Sequence, residues 1–170
     1  MAKRLGKRTI AFQQPPAIMA SAAIVGEKEG QGPLGQFFDV VSQDSHFGQK
    51  SWELAESEMQ KQTIALAVEK AGLQMTDLDC ILAGDLLNQC IGSSLASVEA
   101  HLPYLGLYGA CSTMAQGLAL GAALIDGGAI RKAAAAASSH FCSAERQYRF
   151  PLAYGGQRPP TAQWTATAAG

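Results

Sequence analysis

Cys111 is the residue best placed to do chemistry, because it lies in the turn Gly109-Ala110-Cys111-Ser112 between a predicted strand and a predicted helix. A side chain at the start of a helix meets unpaired backbone N–H groups and the positive end of the helix dipole, which favour a thiolate and any bound anion. Such a sharp strand-to-helix turn is also the geometry of a nucleophile elbow. A free cysteine beside alanine and serine is equally often a small core residue. Both interpretations remain open at this stage.

A base for this thiol is the next requirement, since an activated nucleophile needs one within hydrogen-bond reach. His140 follows a predicted strand and is the local candidate. The alternative for His140 is a partly buried ring whose nitrogens are satisfied by the backbone. A condensing site would need a second such group and an oxyanion hole as well.

Arginine and aromatic side chains are dense in the loop predicted after His140, which includes Arg146 and Arg149. Arginine pairs with carboxylates through two parallel hydrogen bonds and stacks on rings, so this segment would suit a planar dicarboxylate. An ordinary surface network of arginine and glutamate is the alternative. Asp85 and Asn88 follow another predicted strand and are either pocket lining or turn residues.

The elements that position these residues alternate between strands and helices. Residues 51–73 begin with the capping Ser51, place apolar residues at near-helical spacing and end at Gly72, which predicts a helix. Residues 79–87 form an apolar run typical of a buried parallel strand. The same patterns predict a helix at 92–102, capped by Ser93 or Ser94, and another at 113–125. Strands are predicted at 9–12, at 18–25, from residue 103, at 133–139 and at 164–168. Residues 26–49 are predicted to form a long excursion between elements.

This alternation predicts an α/β fold with a mostly parallel sheet and helices on both faces. Ligands bind such sheets at the carboxyl ends of the strands, which would bring residues 85–89, 109–112 and 140–149 into one neighbourhood. The helix at 113–125 is built from small residues with almost no charge, so we expect it to be a buried central helix.

Composition excludes several classes of protein. The chain has 170 residues and is 48% hydrophobic, which is enough for one domain. Only 16% of residues are charged and the formal net charge is −1, so nothing indicates a nucleic acid partner. The cysteines and histidines lack the spacing of a metal site, and no disulfide framework is expected. The short apolar run after the basic N-terminal residues fits neither a signal peptide nor a spanning helix, so cytoplasmic synthesis is expected.

Six segments of the chain form a specific combination: AGDLLNQ (83–89), GACST (109–113), ALIDGG (123–128), ASSH (137–140), AERQYRFP (144–151) and YGGQ (154–157). In this order they resemble the stage V sporulation protein AD family of the thiolase superfamily, whose enzymes carry an acyl group on a cysteine between a strand and a helix. The resemblance implies a thiolase-like fold. Because family members are about twice as long, with a second half that repeats the first, residues 1–170 would be a truncated chain forming the N-terminal domain.

The resemblance further implies a protein that is not an enzyme and needs no cofactor, and that binds dipicolinic acid (pyridine-2,6-dicarboxylate) or its calcium chelate. The implied role is transport of this compound into the forespore and its release at germination, at the periphery of the spore inner membrane and with membrane-embedded proteins of the same operon. An apolar face left open would be covered in a homodimer. The expected ligand-binding residues are Cys111, Ser112, His140, Arg146, Arg149, Asp85 and Asn88.

Two other functions remain open. A condensing enzyme of the ketoacyl synthase III type would use Cys111 as acyl acceptor, with its catalytic histidine supplied by the second half of the fold. A degenerate structural subunit would use the small-residue helix only as an interface.

Overall fold

The computed structural model describes residues 3–148 and 165–170. The helices are α1 (Glu27–Gly30), α2 (Trp52–Lys70), α3 (Ile91–Val98), α4 (Thr113–Asp126) and α5 (Phe141–Tyr148). The strands are β1 (Lys3–Leu5), β2 (Thr9–Ala11), β3 (Ile24–Gly26), β4 (Val40–Ser42), β5 (Cys80–Gly84), β6 (Tyr104–Gly106), β7 (Ala133–Ser139) and β8 (Ala168–Ala169).

Six of the strands form one sheet in the order β4-β3-β8-β7-β5-β6. The pairs β3 with β4, β5 with β6 and β5 with β7 are parallel, whereas β8 runs antiparallel to both β3 and β7. The predicted α/β fold with a mostly parallel sheet is therefore confirmed. β1 and β2 form a separate antiparallel hairpin.

Helices cover both faces of this sheet. Successive side chains of β5 point to opposite faces, and all five residues of this strand are buried. Ile81 lies in one core cluster with Ile64 of α2. Its neighbour Leu82 points to the opposite face and lies in a second cluster with Leu124 of α4. Helices on both faces were predicted, and the two clusters confirm this arrangement.

Small residues set the distance between α4 and the sheet. A Cβ atom added to Gly117 would lie 3.3 Å from the Cβ of Ala135 on β7, so glycine and alanine together allow this close approach. Gly121 is buried on the same face of α4. On the outer face Leu118 and Leu120 remain 43% and 37% exposed in this chain. The predicted central helix is thus buried on its small-residue face and open on the other.

The start of α3 was predicted wrongly. Ser93 and Ser94 do not cap this helix, because it begins at Ile91, directly after Cys90 in a left-handed conformation. The carboxylate of Asp85, which lies outside the helix, accepts a hydrogen bond from the backbone N–H of Ser93 at 2.7 Å instead. In α2, by contrast, Ser51 is the cap and accepts from the backbone N–H of Leu54 at 3.3 Å, as predicted.

Three other expectations change in the structure. The loop predicted after His140 is instead helix α5. The strand predicted at 18–25 is reduced to β3, and the excursion at 26–49 contains α1 and β4. The strand predicted at 164–168 overlaps β8 only at Ala168, because residues 165–167 are irregular, and Trp164 lies outside the described residues.

Candidate functional site

The loops after β5 and β6 meet at the carboxyl edge of the sheet. The thiol of Cys90 donates to the carbonyl oxygen of Leu107 at 3.4 Å, which joins the two loops. The hydroxyl of Tyr108 donates to Oδ1 of Asn88 at 3.4 Å and joins them a second time. The structure therefore brings Asn88 and the Cys111 turn into one neighbourhood, as the strand order predicts.

A glycine at the end of β5 makes this meeting possible. A Cβ atom on Gly84 would lie 1.9 Å from the carbonyl oxygen of Leu107 and 2.8 Å from Cγ2 of Thr113. Only a residue without a side chain leaves room for both the following loop and the start of α4.

The turn that carries Cys111 is strained and exposed. Ala110 has a φ of 46°, a conformation that costs energy for a residue with a Cβ. The hydroxyl of Ser112 donates to the carbonyl oxygen of Gly109 at 2.7 Å and the N–H of Gly109 donates to Oγ1 of Thr113 at 3.2 Å, so local hydrogen bonds hold the turn closed. Cys111 is exposed, two residues before the start of α4, so it is not a core residue in this chain.

Strain also occurs in the loop after β5. Gln89 and Cys90 have φ values of 62° and 51°, so two successive residues with side chains are left-handed. Such backbone strain persists only where the surrounding structure enforces it, and it is found preferentially at functional sites. Left-handed residues with side chains therefore occur in both loops that meet at this edge.

Asp85 holds its loop in place. It is only 2% exposed, and its carboxylate accepts from the N–H of Leu87 at 2.8 Å and from the N–H and hydroxyl of Ser93 at 2.7 and 2.6 Å. These bonds tie the end of β5 to the first turn of α3. A direct role of Asp85 in ligand binding remains a prediction.

His140 has backbone partners at both ring nitrogens. Nε2 lies 2.8 Å from the carbonyl oxygen of Ser45 and must donate, whereas Nδ1 accepts from the N–H of Cys142 at 3.1 Å. These contacts fix a neutral ring with its proton on Nε2. Burial, at 1% exposure, lowers the pKa of His140 and favours the same neutral form. The backbone-satisfied alternative is the one observed, and neither nitrogen is free to take a proton from Cys111.

An aromatic group packs around this ring. Trp52, the first residue of α2, lies 5.4 Å from the ring centroid of His140 and stacks at 3.7 Å on the ring of His46. Beside it, a surface depression of about 200 Å³ is lined by residues of α1 and by Ser45, Phe141 and Thr167. This depression lies at the same edge of the sheet, on the side of β3 and β7.

A buried polar cluster between α2 and the end of β7 was missed by sequence reasoning. Glu56 accepts from the hydroxyls of Ser138 and Ser143 at 3.1 and 2.7 Å. Nε2 of Gln60 lies 3.0 Å from Oγ of Ser138 and 3.2 Å from Oγ of Ser93. We call these five residues the α2 cluster. Glu56 and Gln60 are four residues apart, so they share a helix face with the apolar Met59, and this spacing was the available signal.

Glu56 is fully buried, with 0% exposure. Burial raises the pKa of Glu56 to about 7, opposed by the hydrogen bond from Ser143 and reinforced by the negative charge of Asp85. The Glu56 carboxyl group therefore titrates near neutral pH inside the α2 cluster.

The two predicted arginines fall outside this description. The side chain of Arg146 and the whole of Arg149 lie beyond the described residues, so their part in the site stays a prediction. Among the described residues, no cluster of three or more histidine, cysteine or carboxylate side chains could hold a metal ion. No helix in the described part of the chain is both long enough and apolar enough to cross a membrane.

Sequence comparison decides the family. The sequence profile of the family described as stage V sporulation protein AD matches residues 6–170. A curated relative, stage V sporulation protein AD of Bacillus subtilis, is 42% identical over 168 residues, covering 99% of this chain and 50% of the relative. The chain belongs to the stage V sporulation protein AD family. These matches confirm the resemblance that the sequence segments suggested. The chain spans about half the length of its curated relative.

Solved structures show what fold this family member has. Its structure is similar to 3-oxoacyl-[acyl-carrier-protein] synthase III from Aquifex aeolicus, with a TM-score of 0.58, 14% identity and coverage of 89% of this chain and 51% of that chain. A variant of OleA from Xanthomonas campestris gives a TM-score of 0.58 at 14% identity, covering 93% and 55%. The thiolase-like fold is thus shown, and at this identity the likeness concerns the fold alone.

Proposed function

We propose that this sporulation protein binds dipicolinic acid, or its calcium chelate, at the carboxyl edge of the sheet and does not transform it. The observation that carries the proposal is the state of His140: both of its ring nitrogens are engaged by backbone groups, while Cys111 is exposed in a strained turn. Within the described residues, His140 is therefore not available as the base that a thiol nucleophile needs.

The proposed ligand is a planar ring with two carboxylates, and each carboxylate has a proposed partner. One accepts from the backbone N–H groups of Ala110 and Cys111 in the turn before α4, beside Ser112 and within reach of Asn88. The other pairs with Arg146 or Arg149, since guanidinium groups bind carboxylates bidentately. Asp85 and His140 take part by holding the loops around this position.

The proposed cellular role follows the family resemblance. The protein would move dipicolinate into the forespore and release it at germination, at the periphery of the spore inner membrane and with membrane-embedded proteins of the same operon. A homodimer is proposed to cover exposed apolar side chains of α4, such as Leu118 and Leu120.

The experiment is a thermal unfolding titration of the protein with dipicolinate, with benzoate and nicotinate as matched controls that carry one carboxylate each. A ligand that binds only the native state raises the unfolding midpoint as its concentration rises. We expect a rise with dipicolinate and little or none with the controls. A Cys111→Ala variant should keep the rise, because the proposed donors at this position are backbone groups. Equal shifts with all three compounds, or none, would contradict the proposal.

A condensing enzyme is the second candidate, favoured by the exposure of Cys111 in its turn before α4. It predicts that an acyl-coenzyme A transfers its acyl group to the Cys111 thiol, with the coenzyme thiol leaving. Mass spectrometry of the intact protein would detect this adduct, and Cys111→Ala would abolish it. A purely structural subunit predicts neither an adduct nor a ligand effect on the midpoint.

A further inference from the structure

The β1–β2 hairpin is exposed along its whole length. All residues from 3 to 10 are exposed, and no described helix or strand packs extensively on the hairpin. Arg4 lies opposite Ile10 in the register, and Gly6 turns the chain with a φ of 65°. A two-stranded hairpin alone is only marginally stable in water, so a surface that covers it would stabilise it.

Positive charge is concentrated in this hairpin. Its cations are Lys3, Arg4, Lys7 and Arg8, with no acidic residue among residues 3–11, although the formal net charge of the chain is −1. Within the described residues none of these cations forms an ion pair. The guanidinium of Arg4 donates to the carbonyl oxygens of Gly6 and Lys7 at 2.9 and 3.2 Å and braces the turn. The ammonium of Lys7 and the guanidinium of Arg8 thus remain available to an outside anion.

Aliphatic side chains accompany these cations. Leu5 is 48% exposed and Ile10 is 61% exposed, and Ile18 and Met19 in the following segment are 75% and 60% exposed. Arg4, Lys7, Arg8, Thr9 and Ile10 line a concave surface of about 460 Å³. A surface that alternates cations and aliphatic side chains is suited to the interface of an anionic bilayer. There the cations contact the lipid head groups, and the apolar side chains enter the boundary between the head groups and the acyl chains.

The segment that follows the hairpin is attached at the end of α4 opposite Cys111. The backbone N–H of Gln14 donates to Oδ1 of Asp126 at 2.7 Å, which fastens the segment after β2 to the last residue of α4. Cys111 lies just before the first residue of this helix, whose 14 residues span about 20 Å. A surface bound by the hairpin would therefore leave the carboxyl edge of the sheet accessible from the other side.

We infer that the β1–β2 hairpin docks on an anionic lipid surface through Lys7, Arg8 and their aliphatic neighbours. Lipid is favoured over nucleic acid because the hairpin has no aromatic side chain on which a base could stack, whereas its exposed aliphatic groups suit a bilayer. The inference is independent of the proposed ligand, since the two sites lie at opposite ends of α4.

The test measures binding of the protein, at its natural length, to sedimented vesicles of 30% phosphatidylglycerol in phosphatidylcholine, with pure phosphatidylcholine as the uncharged comparison. The variant Lys7→Gln/Arg8→Gln removes two charges from the hairpin. The matched control Lys50→Gln/Arg131→Gln removes two exposed charges elsewhere. Each cation near an anionic surface contributes about fivefold in affinity, so we expect the hairpin variant to bind roughly 30-fold more weakly and the control to bind nearly as well as the parent protein.

Salt and a fluorescent reporter complete the test. Raising sodium chloride to about 0.5 M should release the parent protein, because it screens the exposed charges. A Leu5→Trp variant should show a blue shift of its emission only with the anionic vesicles. Equal losses in the two double variants would show a general charge effect and overturn the inference. Binding only to vesicles that carry integral membrane proteins would overturn it as well, because the surface would then be protein.

Discussion

Replacing Glu56 by glutamine is expected to change how the stability of the protein depends on pH. Burial raises the pKa of Glu56 in the folded protein to about 7, from an ordinary value of 4.5. Between these pH values the folded state keeps a proton that the unfolded state has lost. The stabilisation is therefore complete below about pH 4.5 and is lost as the pH rises to about 7. The difference between the two pKa values corresponds to about 3 kcal/mol of unfolding free energy.

Glutamine mimics the protonated carboxyl group and fits the α2 cluster. Its amide group can donate to one serine hydroxyl and accept from the other, since Ser138 and Ser143 rotate their hydroxyl protons freely. At pH 8 the Glu56→Gln variant should therefore be more stable than the parent by about 3 kcal/mol, and at pH 5 this difference should fall to about 1 kcal/mol.

Urea denaturation from about pH 5 to pH 8.5 measures this difference, with the unfolding free energy taken from linear extrapolation. Glu69→Gln is the matched control, because it removes an exposed carboxylate from the same helix and leaves the buried α2 cluster intact. A Glu56→Gln variant destabilised by the same amount at every pH would refute the reasoning, because Glu56 would then be charged in the folded state.

Two further predictions concern the Cys111 turn and its support. Gly84→Ala should lower the unfolding free energy by at least about 2 kcal/mol, because the new Cβ meets the carbonyl oxygen of Leu107. The control Gly121→Ala gives its new Cβ only an ordinary contact at 3.6 Å and should stay within about 1 kcal/mol of the parent. Equal effects of the two variants in urea denaturation would contradict the close approach at Gly84. Iodoacetamide should label the exposed Cys111 long before Cys80, which is 3% exposed and whose pKa is raised by burial. Peptide mass spectrometry over time checks the order, and labelling of Cys80 at a similar rate would show that the described core is wrong.

Local sequence patterns were sufficient for the elements that form the sheet and α4. β7 has the bounds that the alanine run predicted, and α4 ends one residue later than expected. Both segments are strongly patterned and end at glycine or polar residues, so local preference and packing agree. The placement of the Cys111 turn beside the loop of Asn88 also followed, because adjacent parallel strands end at the same edge.

Contacts between residues far apart in the sequence could not be predicted from local sequence patterns. The cap of α3 comes from Asp85, eight positions before the N–H group it accepts from, so a search for a capping serine at the helix start failed. Helix α5 was missed because its arginine and aromatic residues were interpreted as a ligand-binding loop, although Phe141, Ala144 and Tyr148 lie at helical spacing. Ser143 of this helix is fixed by Glu56 across 87 positions of sequence, a tertiary contact that overrides local preference.

The role of His140 shows the same limit. Its position after a strand suggested a base for Cys111, and position alone could not separate this from a satisfied ring. The deciding partners are the carbonyl oxygen of Ser45, 95 positions away, and the N–H of Cys142. Such partners become visible only when the chain is folded.

The most direct test of the central claim is a calorimetric titration of the folded protein with dipicolinate, followed by recovery of the ligand. We expect saturable binding at a fixed stoichiometry, retained by Cys111→Ala, with the dipicolinate recovered unchanged. Absence of binding to a protein whose folding is verified in the same sample, or recovery of a chemically altered ligand, would contradict the account of a non-catalytic binding site.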